Sequence, residues 1–153
     1  MTQVDIYQAN KLDLEAILQL QKACYQSEAE IYNDYNIPPL QQDIHTLEKE
    51  FAEQVFLKAV AESEIVGSVR AFFDGRTCFV GKLIVKSDFQ NQGIGRLLLD
   101  LMELTFPMCK RFELFTGHKS LKNLHLYHKL GYNEFNRKVI NDNMTMIYLE
   151  KIR

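Results

Sequence analysis

The sequence predicts one α/β domain, residues 1–153, in which a mixed β-sheet carries helices on both faces. Apolar residues repeat with helical spacing in some segments and with strand spacing in others, giving the order βααβββαβαββ. Hairpins and β-α-β crossovers alternate along this order, which favours a sheet with both parallel and antiparallel pairs. The length of 153 residues fits a single domain that can bury its own core.

The first strand is predicted over residues 3–8, where apolar and polar side chains alternate. Asn10 is a suitable N-cap for a helix over residues 11–26. Pro39 suits the first turn of a second helix, which is predicted to run to about residue 52. This part of the chain therefore supplies one strand and two helices.

A run of three strands is predicted next, over residues 55–61, 64–73 and 77–86. Asp74-Gly75 lies between the last two and predicts a tight hairpin in which both turn residues have positive φ.

The C-terminal half begins with a strongly apolar segment that predicts a helix, and Gly131 is a suitable C′ residue for the helix after it. The elements predicted here are, in chain order, a helix over 93–106, a strand over 111–116, a helix over 120–130 and strands over 132–140 and 144–151.

Composition excludes several classes of protein. Hydrophobic residues make up 46% and charged residues 25% of the chain, and the formal net charge is −2. These values argue against disorder and against a dedicated nucleic-acid binder. The three cysteines are far apart and no Cys/His metal spacing occurs, so we expect no metal site. With no apolar run long enough for a membrane span and no signal pattern, we expect a cytoplasmic protein without a membrane partner.

Charge is segregated along the chain. Residues 23–48 contain five acidic residues and three tyrosines (Tyr25, Tyr32 and Tyr35) but no lysine or arginine, whereas residues 110–138 contain seven lysines and arginines and two glutamates. An acidic, tyrosine-bearing wall would attract a cationic amine, and a basic stretch would suit a polyanion. A solvated acidic face is the alternative.

The most informative segment is the strand, glycine loop and helix over residues 83–96. Its glycines, Gly93 and Gly95, stand where a helix begins, and amides at a helix N-terminus bind phosphate. The loop lacks the Lys-Ser/Thr of a Walker A motif, and Leu98 stands where a dinucleotide fingerprint has its third glycine. A tight turn without a ligand also fits the bare Gly-x-Gly pattern.

This segment resembles motif A of the GNAT superfamily of N-acetyltransferases, in which the loop reads [QR]-x-x-G-x-[GA]. Gln90, Gly93 and Gly95 occupy its three defined positions. The resemblance implies a GNAT-like acyl-CoA N-acyltransferase fold with acetyl-CoA as co-substrate. The cofactor-binding residues that it implies are Leu83, Ile84 and Val85 for the pantetheine arm, with Gln90, Asn91, Gln92, Gly93, Ile94, Gly95 and Arg96 at the pyrophosphate.

A second segment, residues 120–132, is similar to the other CoA-contacting helix of that family, with the pattern N-x-x-L-Y-x-K-x-G-[FY]. The resemblance implies that Asn123 contacts the cofactor and that Tyr127 is catalytic. A phenol with a pKa of about 10 stays protonated at neutral pH and can donate to a departing thiolate. A purely structural tyrosine and a surface asparagine are the alternatives.

The general base is not evident from the sequence. Some relatives carry a glutamate on the strand before the phosphate loop, and the corresponding residue here is Phe79. Glu113, on the next predicted strand, is a substitute that would act through water, or else a paired strand carboxylate.

The resulting expectation is an acetyl-CoA-dependent N-acetyltransferase. Its acceptor would be a small cationic amine that attacks the thioester directly in a ternary complex, and the protein would be a possible homodimer. A protein or peptide amine acetyltransferase and a non-catalytic acyl-CoA-binding module are the alternatives.

Overall fold

The structure is a computed structural model that describes residues 2–153. Its strands are β1 (Asp5–Gln8), β2 (Val55–Ala61), β3 (Glu64–Phe73), β4 (Thr77–Val85), β5 (Arg111–Gly117), β6 (Asn133–Asn141) and β7 (Met144–Ile152). Its α-helices are α1 (Leu14–Tyr32), α2 (Pro38–Gln41), α3 (Ile44–Glu53), α4 (Ile94–Thr105) and α5 (Leu121–Lys129). The predicted order of elements is confirmed, apart from the division of the second helix.

The strands form one mixed sheet in the order β1-β2-β3-β4-β5-β7-β6. Only the β4–β5 pair is parallel, because α4 connects these two strands as a crossover, and the other neighbours are antiparallel. Helices α1 and α3 pack around Phe56 on one face, and α4 and α5 cover the main core on the other. The predicted mixed sheet with helices on both faces is confirmed.

The N-terminal helices differ from the prediction in length. Helix α1 continues past residue 26 to Tyr32 and ends where Asn33 adopts a left-handed conformation with φ 49°. The second predicted helix is divided, because Gln42 is extended at ψ 136°. Asp43 then starts α3 by accepting a hydrogen bond from the Thr46 amide at 2.8 Å. Two short-range caps that the apolar spacing does not reveal therefore set these boundaries.

The turn between β3 and β4 also differs from the prediction. Only Gly75 has positive φ, at 98°, whereas Asp74 does not. The Asp74 carboxylate instead accepts hydrogen bonds from the amides of Arg76 and Thr77, both at 2.8 Å. The hairpin is confirmed, but Asp74 supports the turn through its side chain rather than by adopting a left-handed conformation.

A buried polar cluster lies between the sheet and the helices α1 and α3. Arg70 on β3 is 4% exposed and donates to Gln21 at 2.8 Å and to Gln42 at 3.0 Å. Its Nε lies 3.0 Å from Glu50 on α3. The guanidinium group also stands over the ring of Phe56, 5.0 Å from the centroid. One cation on β3 thus joins α1, the residue Gln42 before α3, and α3 itself.

We expect Arg70→Met to lower the free energy of unfolding by about 3 kcal/mol, because it removes the cation beside the Glu50 carboxylate and the donor to the side-chain oxygen of the buried Gln21. Urea unfolding measures this change. Arg137→Met is the matched control, since the Arg137–Glu134 pair is exposed and such pairs contribute less than about 1 kcal/mol. Equal effects of the two substitutions would contradict this role of Arg70.

No helix within residues 2–153 is both long enough and apolar enough to cross a membrane.

Candidate active site

The sheet opens between β4 and β5. The two strands pair only where Thr77–Phe79 lie beside Arg111–Glu113, and β5 continues from there beside β7 alone. A bulge in β4 accompanies the opening, since Ser68 and Arg70 on β3 face Ile84 and Gly81, which leaves one extra residue on β4. The extra residue is accommodated at Lys82, where φ is 48°. Beyond Phe79, one edge of β4 therefore faces a slot rather than a neighbouring strand.

Leu83, Ile84 and Val85 form the end of β4 beside this slot. Ile84 is buried in the sheet, and the side chains of Leu83 and Val85 pack against the main core. Their position at an open strand edge is the one that pairing with an extended ligand requires.

The glycine loop joins the end of β4 to α4. Gln90 anchors it, because its side-chain amide donates to the Val85 carbonyl at 3.0 Å. Asn91 and Gly93 both have positive φ, at 63° and 82°. Asparagine tolerates positive φ better than most non-glycine residues, so Asn91 suits this position.

The amides of this loop are free to bind an anion. Among the described residues, the N–H groups from Asn91 to Arg96 donate to no protein acceptor, and the first hydrogen bond of α4 runs from Leu97 to the Gly93 carbonyl at 3.0 Å. Ile94 is buried beneath the loop, whereas Arg96 is exposed and lies 3.8 Å from Asp100. Unpaired amides at the start of a helix create a site for phosphate.

Gly95 places α4 against α5. A methyl group there would lie 3.3 Å from Leu126 and 3.6 Å from Leu83, so the first turn of α4 is close to both neighbours. The two segments that resemble the CoA-binding motifs are thereby brought together at the open edge of the sheet.

A cavity of about 600 Å³ passes through the slot, with walls from both faces of the sheet. Tyr127 on α5 contributes to its wall, and Asn123, one turn earlier, also lines it. The Asn123 side chain donates to Thr116 on β5 at 3.4 Å. Asn123 and Tyr127, the two residues that the second motif indicates, therefore line the same cavity.

Tyr127 is 5% exposed, and its hydroxyl group has no hydrogen-bond partner within residues 2–153. Burial raises the pKa of Tyr127, and the neighbouring Tyr25 and Glu28 raise it further. The phenol is therefore protonated at neutral pH and available as a donor to a group in the cavity.

Only part of the acidic N-terminal segment faces the cavity. Glu28, Asp34, Tyr25 and Tyr32 line it, whereas Tyr35 is exposed elsewhere. Two cations, Arg70 and Lys82, line it as well. Burial and the nearby Arg70 lower the pKa of Lys82. The wall is thus of mixed charge rather than purely acidic.

Glu113 does not line the cavity. Its carboxylate accepts a hydrogen bond from Arg111 at 2.8 Å, and Arg111 also binds Glu150 at 2.9 Å. Of the two interpretations of Glu113, the paired strand carboxylate is the one that the contacts favour. Phe79 does line the cavity, so an aromatic ring occupies the position at which some relatives have a glutamate.

Sequence reasoning missed Arg70, Lys82, Thr116 and Ser120 as cavity residues. No motif marks them, because each is an ordinary polar residue on a strand or before a helix. For Lys82, a neighbouring glycine was the only available signal. No group of His, Cys, Asp and Glu side chains that could hold a metal occurs in the described part of the chain.

Solved structures show the same architecture. The PaiA N-acetyltransferase from Thermoplasma acidophilum in complex with coenzyme A superposes with a TM-score of 0.83 at 16% identity, over 99% of each chain. The ribosomal-protein-S18-alanine N-acetyltransferase from Escherichia coli gives 0.80 at 16% identity, over 98% of this chain and 94% of that one. A GNAT family acetyltransferase from Elizabethkingia anophelis with acetyl-CoA bound gives 0.70 at 19% identity, over 98% of both chains. The fold is therefore the GNAT acyl-CoA N-acyltransferase fold.

Comparison with protein-family models matches residues 14–132 to the Acetyltransferase (GNAT) family, and the chain belongs to this family. No curated protein matches the sequence.

Proposed function

We propose that the protein transfers the acetyl group of acetyl-CoA to the nitrogen of a primary amine, by direct attack within a ternary complex. The observation that carries this proposal is the open edge of β4, which lies beside the cavity lined by Tyr127 and leads at its end into the glycine loop with its free amides. A long ligand with a phosphate group at one end and a reactive group at the other fits this arrangement.

In the proposed complex, the amides from Asn91 to Arg96 bind the pyrophosphate of acetyl-CoA. The open edge of β4 at Leu83, Ile84 and Val85 pairs with the pantetheine arm. Asn123 contacts the cofactor from α5. Two of the solved structures with this fold support this choice of cofactor, since one is a complex with coenzyme A and the other has acetyl-CoA bound.

In this mechanism Tyr127 donates a proton to the departing CoA thiolate. The amine lone pair attacks the thioester carbon, the C–S bond breaks, and the phenol donates to the sulfur. Covalent catalysis by cysteine is disfavoured, because burial raises the pKa of Cys24 to about 11 and that of Cys78 to about 12. Both are protonated thiols at neutral pH and thus weak nucleophiles.

The acceptor is proposed to be a small cationic amine. Support comes from the cavity volume of about 600 Å³ and from the Glu28 and Asp34 carboxylates in its wall. A volume of this order holds a small molecule together with the end of the cofactor.

The test is release of CoA from acetyl-CoA, measured with a panel of small aliphatic amines and, in parallel, with peptides that carry a free N-terminus or a lysine. We expect turnover with at least one small amine and a higher kcat/KM for it than for any peptide. Turnover confined to peptides would instead indicate a protein or peptide acetyltransferase. Tight CoA binding without turnover on any amine would indicate a binding module. A cytoplasmic location and a homodimer stay predictions.

A further inference from the structure

Acyl transfer to an amine at neutral pH needs a group that receives the proton of the ammonium ion. An alkylammonium of pKa about 10.4 is about 0.1% neutral near pH 7.4. Phe79 cannot accept a proton, and Glu113 is bound by Arg111 outside the cavity. The carboxylates that do line the cavity are Glu28 and Asp34.

The Glu28 carboxylate is hydrogen-bonded by a residue that is distant in the sequence. Ser120, immediately before α5, donates from its hydroxyl to Glu28 Oε2 at 2.7 Å. Ser120 Oγ lies 2.7 Å from the hydroxyl of Tyr32, the last residue of α1. By contrast, Asp34 accepts its hydrogen bond from the Asn36 amide within its own loop, at 2.9 Å. Of the two carboxylates, Glu28 is thus the one tied to the element that carries Tyr127.

The direction of this hydrogen-bond chain follows from its two ends. The Lys119 amide can only donate, and it donates to the Tyr32 hydroxyl oxygen at 3.0 Å. The single Ser120 proton goes to the carboxylate, because a carboxylate has no proton to offer. The Tyr32 proton is therefore directed to Ser120 Oγ, and every donor in the chain is directed toward Glu28.

The fold makes room for this chain at Gly117. A methyl group at Gly117 would overlap the Tyr32 hydroxyl group, so only glycine allows this tyrosine to reach the β5–α5 connection. Tyr32 is 2% and Ser120 5% exposed, which shields their hydrogen bonds from competing water.

Glu28 is also close enough to the proposed acid to act on it electrostatically. Its charge contributes to raising the pKa of Tyr127 and that of Tyr25, after burial as the largest cause. Both phenols line the same cavity as Glu28. An amine nitrogen in this space can therefore meet a carboxylate on the α1 side and a phenol on the α5 side.

We infer that Glu28 binds the ammonium form of the acceptor and receives its first proton, and that Ser120 and Tyr32 are positioning residues for its carboxylate. This inference rests on the proposed function. The ammonium ion loses two protons in the whole reaction. The first passes to Glu28 and on to solvent, which frees the lone pair for attack on the thioester carbon. Tyr127 gives its proton to the CoA sulfur as the C–S bond breaks. The second proton leaves the nitrogen after attack and restores the Tyr127 phenol, so one proton goes to solvent, one stays on CoA, and the charges balance.

Glu28→Gln keeps the shape of the side chain and an acceptor for Ser120, but removes the charge and the basic oxygen. The measurement is kcat/KM for an aliphatic primary amine between pH 7.5 and pH 10. We expect a loss of about 100-fold at pH 7.5. The ratio of wild-type to variant kcat/KM should fall by about tenfold per pH unit above that. At higher pH the solvent deprotonates the amine, so the variant no longer needs Glu28 as a base.

Glu30→Gln is the matched control, since Glu30 is an exposed glutamate on the same helix as Glu28 and does not line the cavity. We expect it to change kcat/KM by less than about threefold at every pH, because its charge acts only at a distance. The other titratable or charged groups around the cavity are the same in the wild type, in Glu28→Gln and in the control, so their contributions to the pH profile cancel in the ratio of kcat/KM values: Tyr25, Tyr32, Asp34, Arg70, Lys82, His118 and Tyr127.

Ser120→Ala and Tyr32→Phe test the positioning role. We expect Ser120→Ala to lower kcat/KM about tenfold at pH 7.5, with the same fall in the ratio at higher pH and a smaller effect for Tyr32→Phe. Calorimetric titration with CoA must give the wild-type Kd for each variant, which shows that the fold is intact.

Wild-type kcat/KM in Glu28→Gln at pH 7.5, or a loss that is the same at every pH, would overturn the inference while leaving the acetyltransferase function intact. A wild-type protein that binds CoA but acetylates no amine would instead refute the proposed function, and the inference with it.

Discussion

Tyr127→Phe is expected to lower kcat by about 100-fold or more, with little change in the KM for acetyl-CoA, because it removes a proton donor and no apolar contact. The ring stays packed beside Tyr132, 6.2 Å between centroids, so the variant should fold. Steady-state release of CoA measures the effect. Since burial raises the pKa of Tyr127, we expect no loss of wild-type activity up to about pH 10 from ionisation of this phenol.

Two further tyrosines sharpen this experiment. Tyr148→Phe removes a hydroxyl on β7, where the ring packs on Phe115 away from α5, and should leave kcat unchanged. Tyr25→Phe removes a second phenol of the cavity wall. A larger loss of kcat in Tyr25→Phe than in Tyr127→Phe would assign the acid to Tyr25.

Gly93→Val is expected to raise the Kd for CoA at least about 100-fold, which corresponds to about 2.7 kcal/mol of binding free energy. The φ of Gly93 is 82°, and a β-branched residue avoids this region, so the loop must change its conformation to accept valine. The amides that follow would then no longer converge on one anion. Isothermal titration of the purified variant with CoA measures the loss.

Gly75→Val is the matched control for this substitution. Gly75 has φ 98° in the turn between β3 and β4, and like Gly93 it has no atom within 4 Å of an added methyl group. The two variants therefore carry similar backbone strain in different places. We expect both to lose stability and only Gly93→Val to lose CoA affinity. An unchanged Kd in Gly93→Val would contradict the assignment of the loop to the pyrophosphate.

Features encoded by neighbouring residues were predictable from the sequence. Asn10 does cap the first helical turn, accepting from the Leu12 amide at 2.9 Å, and Gly131 has the positive φ expected at the end of α5. The glycine loop was recognisable because glycine, glutamine and a strand-to-helix boundary fall within a few residues.

Features that depend on distant residues were not predictable. The bulge at Lys82 arises from the register between β3 and β4, and the hydrogen-bond chain at Glu28 joins residues about 90 positions apart. Sequence patterns report only on residues that are close along the chain. Glu28, Asp34 and Tyr35 therefore fell together into one acidic, tyrosine-bearing wall. It could not separate the side chains that face the cavity from Tyr35, which is 53% exposed.

The gap between β4 and β5 has a consequence for the thermodynamics of the whole chain. A sheet that stops pairing in its centre leaves backbone donors and acceptors of β4 to be satisfied by something other than protein. In the proposed complex the cofactor takes the place of the missing strand. Some of the hydrogen bonds at the edge of β4 therefore form only when the cofactor binds. Saturation with CoA at 100 times its Kd stabilises the native state by about 2.7 kcal/mol. Amide hydrogen exchange should then slow most at the open edge of β4. The sheet is interrupted between β4 and β5 in the free protein and is completed by the cofactor in the complex.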